Sequence, residues 1–243
     1  MIEFQQVNKL YESRMILQDI SLKINTGEFI CLVGPSGSGK TTLLKMVNRL
    51  ITPDQGLILL DGQDITMQAI RTLRLQMGYV IQQIALFPHM TVYENIMLIP
   101  ELKKIPKENW PQLADEWLKK VGLSPKEVLH RYPKELSGGQ QQRIGIVRAL
   151  ITQPKILLMD EPFSALDPLS RQQLQELLKQ LQKELNLTIL FVTHDMDEAL
   201  KLADRIAVLQ QGRIVQFASP QVIQSNPQTE FISQFLKGSE AHA

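Results

Sequence analysis

The sequence predicts an α/β fold built on a largely parallel β-sheet with helices on both faces. Several apolar segments have the length and the uninterrupted apolar character of strands that are buried on both faces. These segments are 29–33, 156–160, 188–192 and 204–209. Helical spacing begins at Lys40, at about residue 169 and again after His194. Strands that alternate with helices in this way are typical of a parallel sheet that is covered on both sides.

Two further segments extend this core. Apolar residues alternate in the strand manner through the first 24 residues, and a polar turn at 11–13 divides them, which together with a strand at 57–60 predicts an N-terminal antiparallel β-subdomain. From about 85 to 150 the pattern is mainly helical and is interrupted by prolines, which predicts a helical subdomain inserted into the α/β core. We expect one domain over 1–237 and a flexible tail at 238–243.

Composition restricts the possible function. Lysine and arginine total 26 and aspartate and glutamate 25, giving a formal net charge of +1, so we expect no nucleic-acid partner. The single cysteine, Cys31, excludes a disulfide within the chain. We expect no signal peptide, and no window approaches the ~20 apolar residues that a spanning helix needs. Any role at a membrane is therefore expected to depend on a partner.

A glycine-rich segment after the strand at 29–33 matches the phosphate-binding P-loop pattern, with a strand before it and a helix after it. Its residues are Gly34, Pro35, Ser36, Gly37, Ser38, Gly39, Lys40 and Thr41. Glycines allow successive backbone N–H groups to face one anion, and the helix adds its positive end. We predict that Lys40 reaches the β- and γ-phosphates, that the Thr41 hydroxyl binds Mg²⁺, and that Thr42 contacts the α-phosphate.

Two acids, Asp160 and Glu161, end the apolar segment at 156–160. The carboxyl end of a central parallel strand lies beside the phosphate loop in such sheets. Asp160 is therefore predicted to hold Mg²⁺, and Glu161 is the candidate general base that polarises an attacking water.

A second helix start with the composition of an anion site lies far along the chain, at Leu136-Ser137-Gly138-Gly139-Gln140. Ser137 is predicted to cap the helix over 141–150, and the glycines leave room for a phosphate. Since the phosphate loop is already complete, one explanation of the second site is that it serves the ATP of a facing copy of this chain.

The LSGGQ segment and its continuation to Leu150 closely resemble the signature motif of the ABC transporter ATPases. The resemblance covers nearly the whole chain and implies an ABC-type P-loop ATPase domain with ATP and Mg²⁺ as ligands. It implies a head-to-tail dimer in which two ATP molecules lie between the P-loop of one copy and the signature of the other. The signature residues that would contact ATP are Ser137, Gly138, Gly139 and Gln140.

Other positions match the family residue by residue. Tyr11 corresponds to the aromatic residue that stacks on adenine, and Asp167 ends the Ser164–Asp167 segment that matches the loop crossing the dimer interface. Gln82 matches the glutamine that contacts Mg²⁺ and the attacking water, with Gln83 as the alternative. His194 matches the histidine that senses the γ-phosphate and holds Glu161 and water in line. The resemblance implies catalysis by Glu161, His194, Gln82 and Lys40.

The segments 77–90, 193–199 and 204–207 resemble the osmoprotectant importers, which carry glycine betaine, carnitine or choline. The resemblance implies permease subunits as partners, an indirect solute-binding protein, and a place on the cytoplasmic face of the cell membrane. The apolar segment 82–99 corresponds to the surface that receives a helix of the membrane subunit. Many members of the subgroup carry C-terminal CBS domains, which these 243 residues do not include.

Three alternatives stay open at this point. The solute could be an amino acid or another small polar molecule, because importers for these share most of the subgroup motifs. A non-transport ABC protein acting on ribosomes or DNA would be expected to carry tandem cassettes, a coiled coil or basic segments. A P-loop kinase would be expected to lack the LSGGQ motif and His194.

Overall fold

Residues 1–82 and 85–240 are described by a computed structural model and form two β-sheets with helices around them. In these residues the strands are β1 (Ile2–Tyr11), β2 (Arg14–Ile24), β3 (Phe29–Val33), β4 (Gln55–Leu60), β5 (Gln63–Asp64), β6 (Met77–Val80), β7 (Ile156–Asp160), β8 (Thr188–Thr193), β9 (Arg205–Gln210) and β10 (Arg213–Ala218). The helices are α1 (Lys40–Val47), α2 (Ile70–Leu75), α3 (Val92–Leu102), α4 (Trp110–Lys120), α5 (Pro125–Val128), α6 (Gly138–Leu150), α7 (Pro168–Leu185), α8 (Met196–Leu202), α9 (Pro220–Ser225) and α10 (Glu230–Glu240).

The smaller sheet has the strand order β2-β1-β4-β5, and all of its strand pairs are antiparallel. The predicted N-terminal antiparallel subdomain is thus confirmed. Its apolar residues alternate, so one face is buried and the other is polar, as expected for a sheet with one wet face.

The larger sheet has the order β10-β9-β3-β8-β7-β6, and every pair is parallel except β9 with β10. The strands β3, β7 and β8 are buried at every residue, which explains their continuous apolar sequence. Since these strands run in parallel, their carboxyl ends meet at one edge of the sheet, and the phosphate loop, Asp160 and His194 all lie at that edge.

Successive residues of β3 point into different hydrophobic clusters. Ile30 and Leu32 pack with α1 and the antiparallel sheet. Phe29, Cys31 and Val33 pack with α3, α7 and α8 on the other face. The free Cys31 is fully buried. The alternation follows from strand geometry and gives the sheet a core on each side.

The helices α3 to α6 lie between β6 and β7, so the predicted helical insertion at about 85–150 is present. The predicted strand at 78–82 is shorter and ends at Val80. The helix predicted from Gln141 begins at Gly138, because Ser137 caps it there. The sequence patterns did not predict β10, α9 or α10. The last of these extends to Glu240, and residues 241–243 of the predicted tail lie outside the described residues.

Within the described residues, each helix is too short or too polar to cross a bilayer.

Candidate nucleotide-binding site

The loop between β3 and α1 has a backbone that only glycine permits at two positions. Gly34 has φ 153°, and a Cβ there would lie 2.1 Å from the backbone oxygen of Leu209. Gly39, the cap of α1, has φ 101°, and a Cβ there would lie 2.5 Å from Cδ2 of Leu17. The loop therefore packs closely against β9 on one side and β2 on the other. Its curled backbone leads directly into the N-terminus of α1, a favourable place for an anion.

Lys40 begins α1 and is buried in the loop. Its Nζ donates hydrogen bonds to the backbone oxygens of Gly34, at 2.7 Å, and Pro35, at 3.0 Å. Burial lowers the pKa of Lys40, and the nearby carboxylates of Glu161 and Asp160 oppose that shift. The ammonium is thus held at the centre of the loop with two acids nearby.

The side-chain oxygens of Thr41, in α1, and Asp160, at the end of β7, lie next to each other. The Thr41 hydroxyl donates a hydrogen bond of 2.8 Å to Oδ1 of Asp160. Burial raises the pKa of Asp160, and the hydrogen bond from Thr41 opposes this rise. A hydroxyl and a carboxylate are the hard oxygen donors that suit Mg²⁺, which commonly takes only one or two protein ligands beside phosphate.

Glu161 is the point on which two other predicted residues converge. Its Oε2 accepts a hydrogen bond of 3.3 Å from the Gln82 amide and lies 3.1 Å from Nδ1 of His194. The backbone of Glu161 has φ 43°, an unusual left-handed conformation for a non-glycine residue, and its N–H donates to the Val192 oxygen at 3.0 Å. The three side chains follow three neighbouring strands, β6, β7 and β8.

An open cleft of about 490 Å³ contains most of these groups. The predicted residues that line it are Tyr11, Ser36, Gly37, Ser38, Gly39, Lys40, Thr41, Thr42, Gln82 and Glu161. Two more lining residues, Arg14 and Ile16 of β2, were missed by the sequence reasoning, because no motif marks them. Gln83, the alternative to Gln82, lies outside the described residues.

The signature residues do not line this cleft. Ser137 and Gln140 cap α6 reciprocally: the Ser137 hydroxyl accepts from the Gln140 N–H at 3.3 Å, and the Gln140 side chain accepts from the Ser137 N–H at 3.0 Å. Ser137 and Gly138 are exposed. Asp167 is also absent from the cleft lining and caps α7 by accepting a 2.9 Å hydrogen bond from the Ser170 N–H.

Lys9 and Asp54 support Tyr11, and sequence reasoning missed both. Asp54 accepts from Lys9 Nζ at 3.0 Å and from the Leu10 N–H at 2.7 Å. That backbone hydrogen bond, followed by the one from Lys9, lowers the pKa of Asp54. Nζ of Lys9 lies 5.1 Å from the centroid of the Tyr11 ring, within the range of a cation–π contact. Because Asp54 is far from Lys9 in sequence, no local pattern could have shown the pair.

Known proteins resemble this chain over nearly its full length. It is 55% identical over 237 residues to the glycine betaine/carnitine/choline transport ATP-binding protein OpuCA of Bacillus subtilis (strain 168), covering 97% of this chain and 62% of that protein. It is 44% identical over 240 residues to the glycine betaine uptake system ATP-binding protein YehX of Escherichia coli (strain K12), covering 99% of this chain and 78% of that protein.

A solved structure gives the same fold. The dimeric post-hydrolysis state of the ATP-binding cassette MJ0796, bound to ADP and Pi, superimposes with a TM-score of 0.79 at 33% identity, covering 90% of this chain and 99% of that chain. The chain spans only 62% of the length of OpuCA. The sequence profile of the ABC transporter family matches residues 17–164, and with these relatives it establishes that the chain belongs to the ABC transporter family.

Proposed function

We propose that this chain hydrolyses ATP and thereby drives an importer for osmoprotectants such as glycine betaine, carnitine or choline. The observation that carries the hydrolytic part is the convergence of Gln82 and His194 on Oε2 of Glu161, at the end of β7 and beside the phosphate loop. A carboxylate that two neighbours orient beside a phosphate site is suited to accept a proton from an attacking water.

Thr41 and Asp160 are proposed to hold Mg²⁺ with the phosphates, and Gln82 is proposed as a further ligand. Their oxygen chemistry fits the ion, as the 2.8 Å approach of the Thr41 hydroxyl to Asp160 illustrates. The ion supplies charge neutralisation at the transferring phosphoryl group. Lys40 and the loop N–H groups bind the phosphates and stabilise the negative charge of the transition state.

Glu161 is proposed to accept the proton of the attacking water, and His194 to keep the carboxylate in line. A carboxylate that acts as a base is ionised and can only accept, so the proposed role of Glu161 assigns the proton in the 3.1 Å contact to Nδ1 of His194. Because Oε2 already accepts two hydrogen bonds, the other oxygen, Oε1, is the one left to meet water.

The signature motif is proposed to complete the site of a second copy. The capping box of Ser137 and Gln140 begins the thirteen-residue helix α6 at an exposed residue that does not line the chain's own cleft, so its first N–H groups are proposed to meet the phosphate of the other copy. MJ0796, which shares the fold, is described as a dimer. A head-to-tail pair would bring each α6 N-terminus to the other copy's phosphate loop, with Asp167 at the interface.

The importer part rests on relatives that are named for transport of these solutes. It requires permease subunits, a solute-binding protein delivering to them, and attachment of this chain at the cytoplasmic face of the membrane. The test is reconstitution in proteoliposomes with a permease and binding protein encoded beside this gene. ATP-dependent uptake of labelled glycine betaine, carnitine or choline is expected. Uptake of an amino acid instead would refute the substrate assignment, and recovery of ribosomes in a membrane pulldown would refute transport.

We expect Lys9→Met to weaken ATP binding about 2–5-fold, because Tyr11, the proposed adenine-stacking residue, loses a cation–π contact of that energy scale which fixes its ring for the nucleotide. The change removes the charge near the Tyr11 ring and leaves the phosphate loop intact. Equilibrium binding of ATP and of tripolyphosphate, which has no adenine, measures the effect. Lys23→Met, an exposed lysine of β2, serves as the control. An equal loss of tripolyphosphate affinity would show that Lys9 does not act through Tyr11.

A further inference from the structure

Arg171, in the first turn of α7, lies between two loops of the candidate site. One is the Ser164–Asp167 loop that precedes α7, and the other carries His194. Together with Glu161, His194 and Ser164, the side chain of Arg171 lines a small cavity of about 50 Å³. This cavity lies directly beside the contact between His194 and Glu161.

The guanidinium of Arg171 is held loosely for a group with five N–H donors. Its Nη2 donates one long hydrogen bond of 3.5 Å to the Leu166 backbone oxygen in the 164–167 loop. Nη1 lies 3.7 Å from Oδ2 of Asp195, and Nε lies 3.8 Å from Oε1 of Glu198. Both ion pairs are longer than hydrogen bonds, and Nε is buried with no hydrogen-bond partner in the described part of the chain. A movement of the guanidinium of less than about 1 Å toward Asp195 and Glu198 would turn both ion pairs into hydrogen-bonded ones.

The acids that face Arg171 are themselves well fixed, and they hold the residues on either side of His194. The buried Glu198 accepts a 2.7 Å hydrogen bond from the Thr193 hydroxyl. The Thr193 hydroxyl accepts from the Asp195 N–H at 3.0 Å, and Asp195 caps α8 by accepting from the Asp197 N–H at 2.9 Å. A displacement of Glu198 or Asp195 would therefore also displace Thr193 and Asp195, the two residues next to His194 in the chain.

We propose that Arg171 is a positioning residue that couples the 164–167 loop to His194. When the loop shifts toward Asp195 and Glu198, the guanidinium of Arg171 forms closer ion pairs with both of them. The hydrogen bonds that join these two acids through Thr193 then hold His194 in contact with Glu161. The inference rests on the proposed function, in which the 164–167 loop meets a second copy of this chain. The arrival of that copy would then set the geometry of the Glu161–His194 pair from a distance.

Arg171→Met tests the coupling, because it removes the guanidinium and keeps an unbranched side chain. We expect kcat for ATP to fall about tenfold, since a misplaced catalytic group can cost that much or more. KM is expected to change less than about twofold, because Arg171 does not line the nucleotide cleft. Arg171→Lys, which retains a charge, is expected to recover part of kcat. Lys183→Met, an exposed lysine of the same helix, is the matched control and is expected to keep the parental kcat.

Glu198→Gln supplies a second variant that keeps the shape of the network. If Arg171 acts through Glu198, each single change lowers kcat and the double variant is no worse than the more affected single one. Losses that multiply in the double variant, a KM that rises in parallel, or a parental kcat in Arg171→Met would overturn the inference. A parental chain without any ATP hydrolysis would refute the proposed function instead, so the two failures are distinguishable.

Discussion

Glu161→Gln is expected to abolish ATP turnover while ATP binding is retained. The amide has nearly the volume of the carboxylate and can still meet Gln82 and His194, but it cannot accept a proton from water. Loss of a general base typically lowers the rate by a factor of about 10²–10⁴. Phosphate release measures turnover, and equilibrium binding of ATP measures retention. Size-exclusion chromatography with ATP is expected to show a trapped dimer, because hydrolysis no longer removes the γ-phosphate that is proposed to join the copies.

Glu176→Gln is the matched control for this variant, since Glu176 is an exposed residue of α7. It is expected to hydrolyse ATP at the parental rate. Parental turnover in Glu161→Gln would exclude Glu161 as the base. A Glu161→Gln chain that binds ATP but stays a single subunit would leave the base assignment standing and contradict the proposed dimer.

Ser137→Arg is expected to abolish ATP hydrolysis and leave ATP binding to a single chain nearly unchanged. The substitution places a long charged side chain at the exposed start of α6 and removes a cap worth about 1 kcal/mol of helix stability. Since Ser137 does not line the cleft of its own chain, the phosphate loop that binds ATP is undisturbed. In the Glu161→Gln background, Ser137→Arg is expected to eliminate the ATP-dependent dimer, which size-exclusion chromatography measures.

Ser219→Arg is the control for the loss of a helix cap. Ser219 caps α9 by accepting from the N–H of Val222, the third residue of that helix, and it lies outside the nucleotide cleft. It is expected to retain both hydrolysis and the dimer. If Ser137→Arg hydrolysed ATP at the parental rate, the signature of a second copy would play no part in the reaction.

Local patterns predicted the phosphate loop and the two acids at the end of β7, whereas Gln82 and His194 were predicted from their match to the family motifs. The residues from Gly34 to Thr41 are adjacent in sequence and need no distant partner to form their loop. Asp160 ends the apolar strand β7, and Glu161 and His194 directly follow β7 and β8, whose parallel order brings their ends together. The family resemblance implied that His194 holds Glu161, whereas the hydrogen bond from Gln82 to Glu161 is a long-range contact that no pattern predicted.

Other features depend on contacts that no local pattern contains. Lys9 meets Asp54, and Arg171 faces Glu198, across turns of the chain whose geometry is set by packing. The edge strand β10 is only partly buried, so its apolar residues do not form the continuous segment that marked β3. The left-handed backbone of Glu161 is imposed by its surroundings, since glutamate itself disfavours this conformation.

Gly34 and Gly39 fit the phosphate loop into the seam where the two sheets meet, with Leu209 of β9 on one side and Leu17 of β2 on the other. Neither leucine belongs to the cleft lining, yet both limit where the loop can lie. Nucleotide affinity is consequently a property of how the sheets are joined, as well as of the residues that contact phosphate. A conservative replacement such as Leu17→Ile changes the packing at that seam. A mutational screen for weakened ATP binding is therefore expected to identify Leu17 as well as the residues of the phosphate loop.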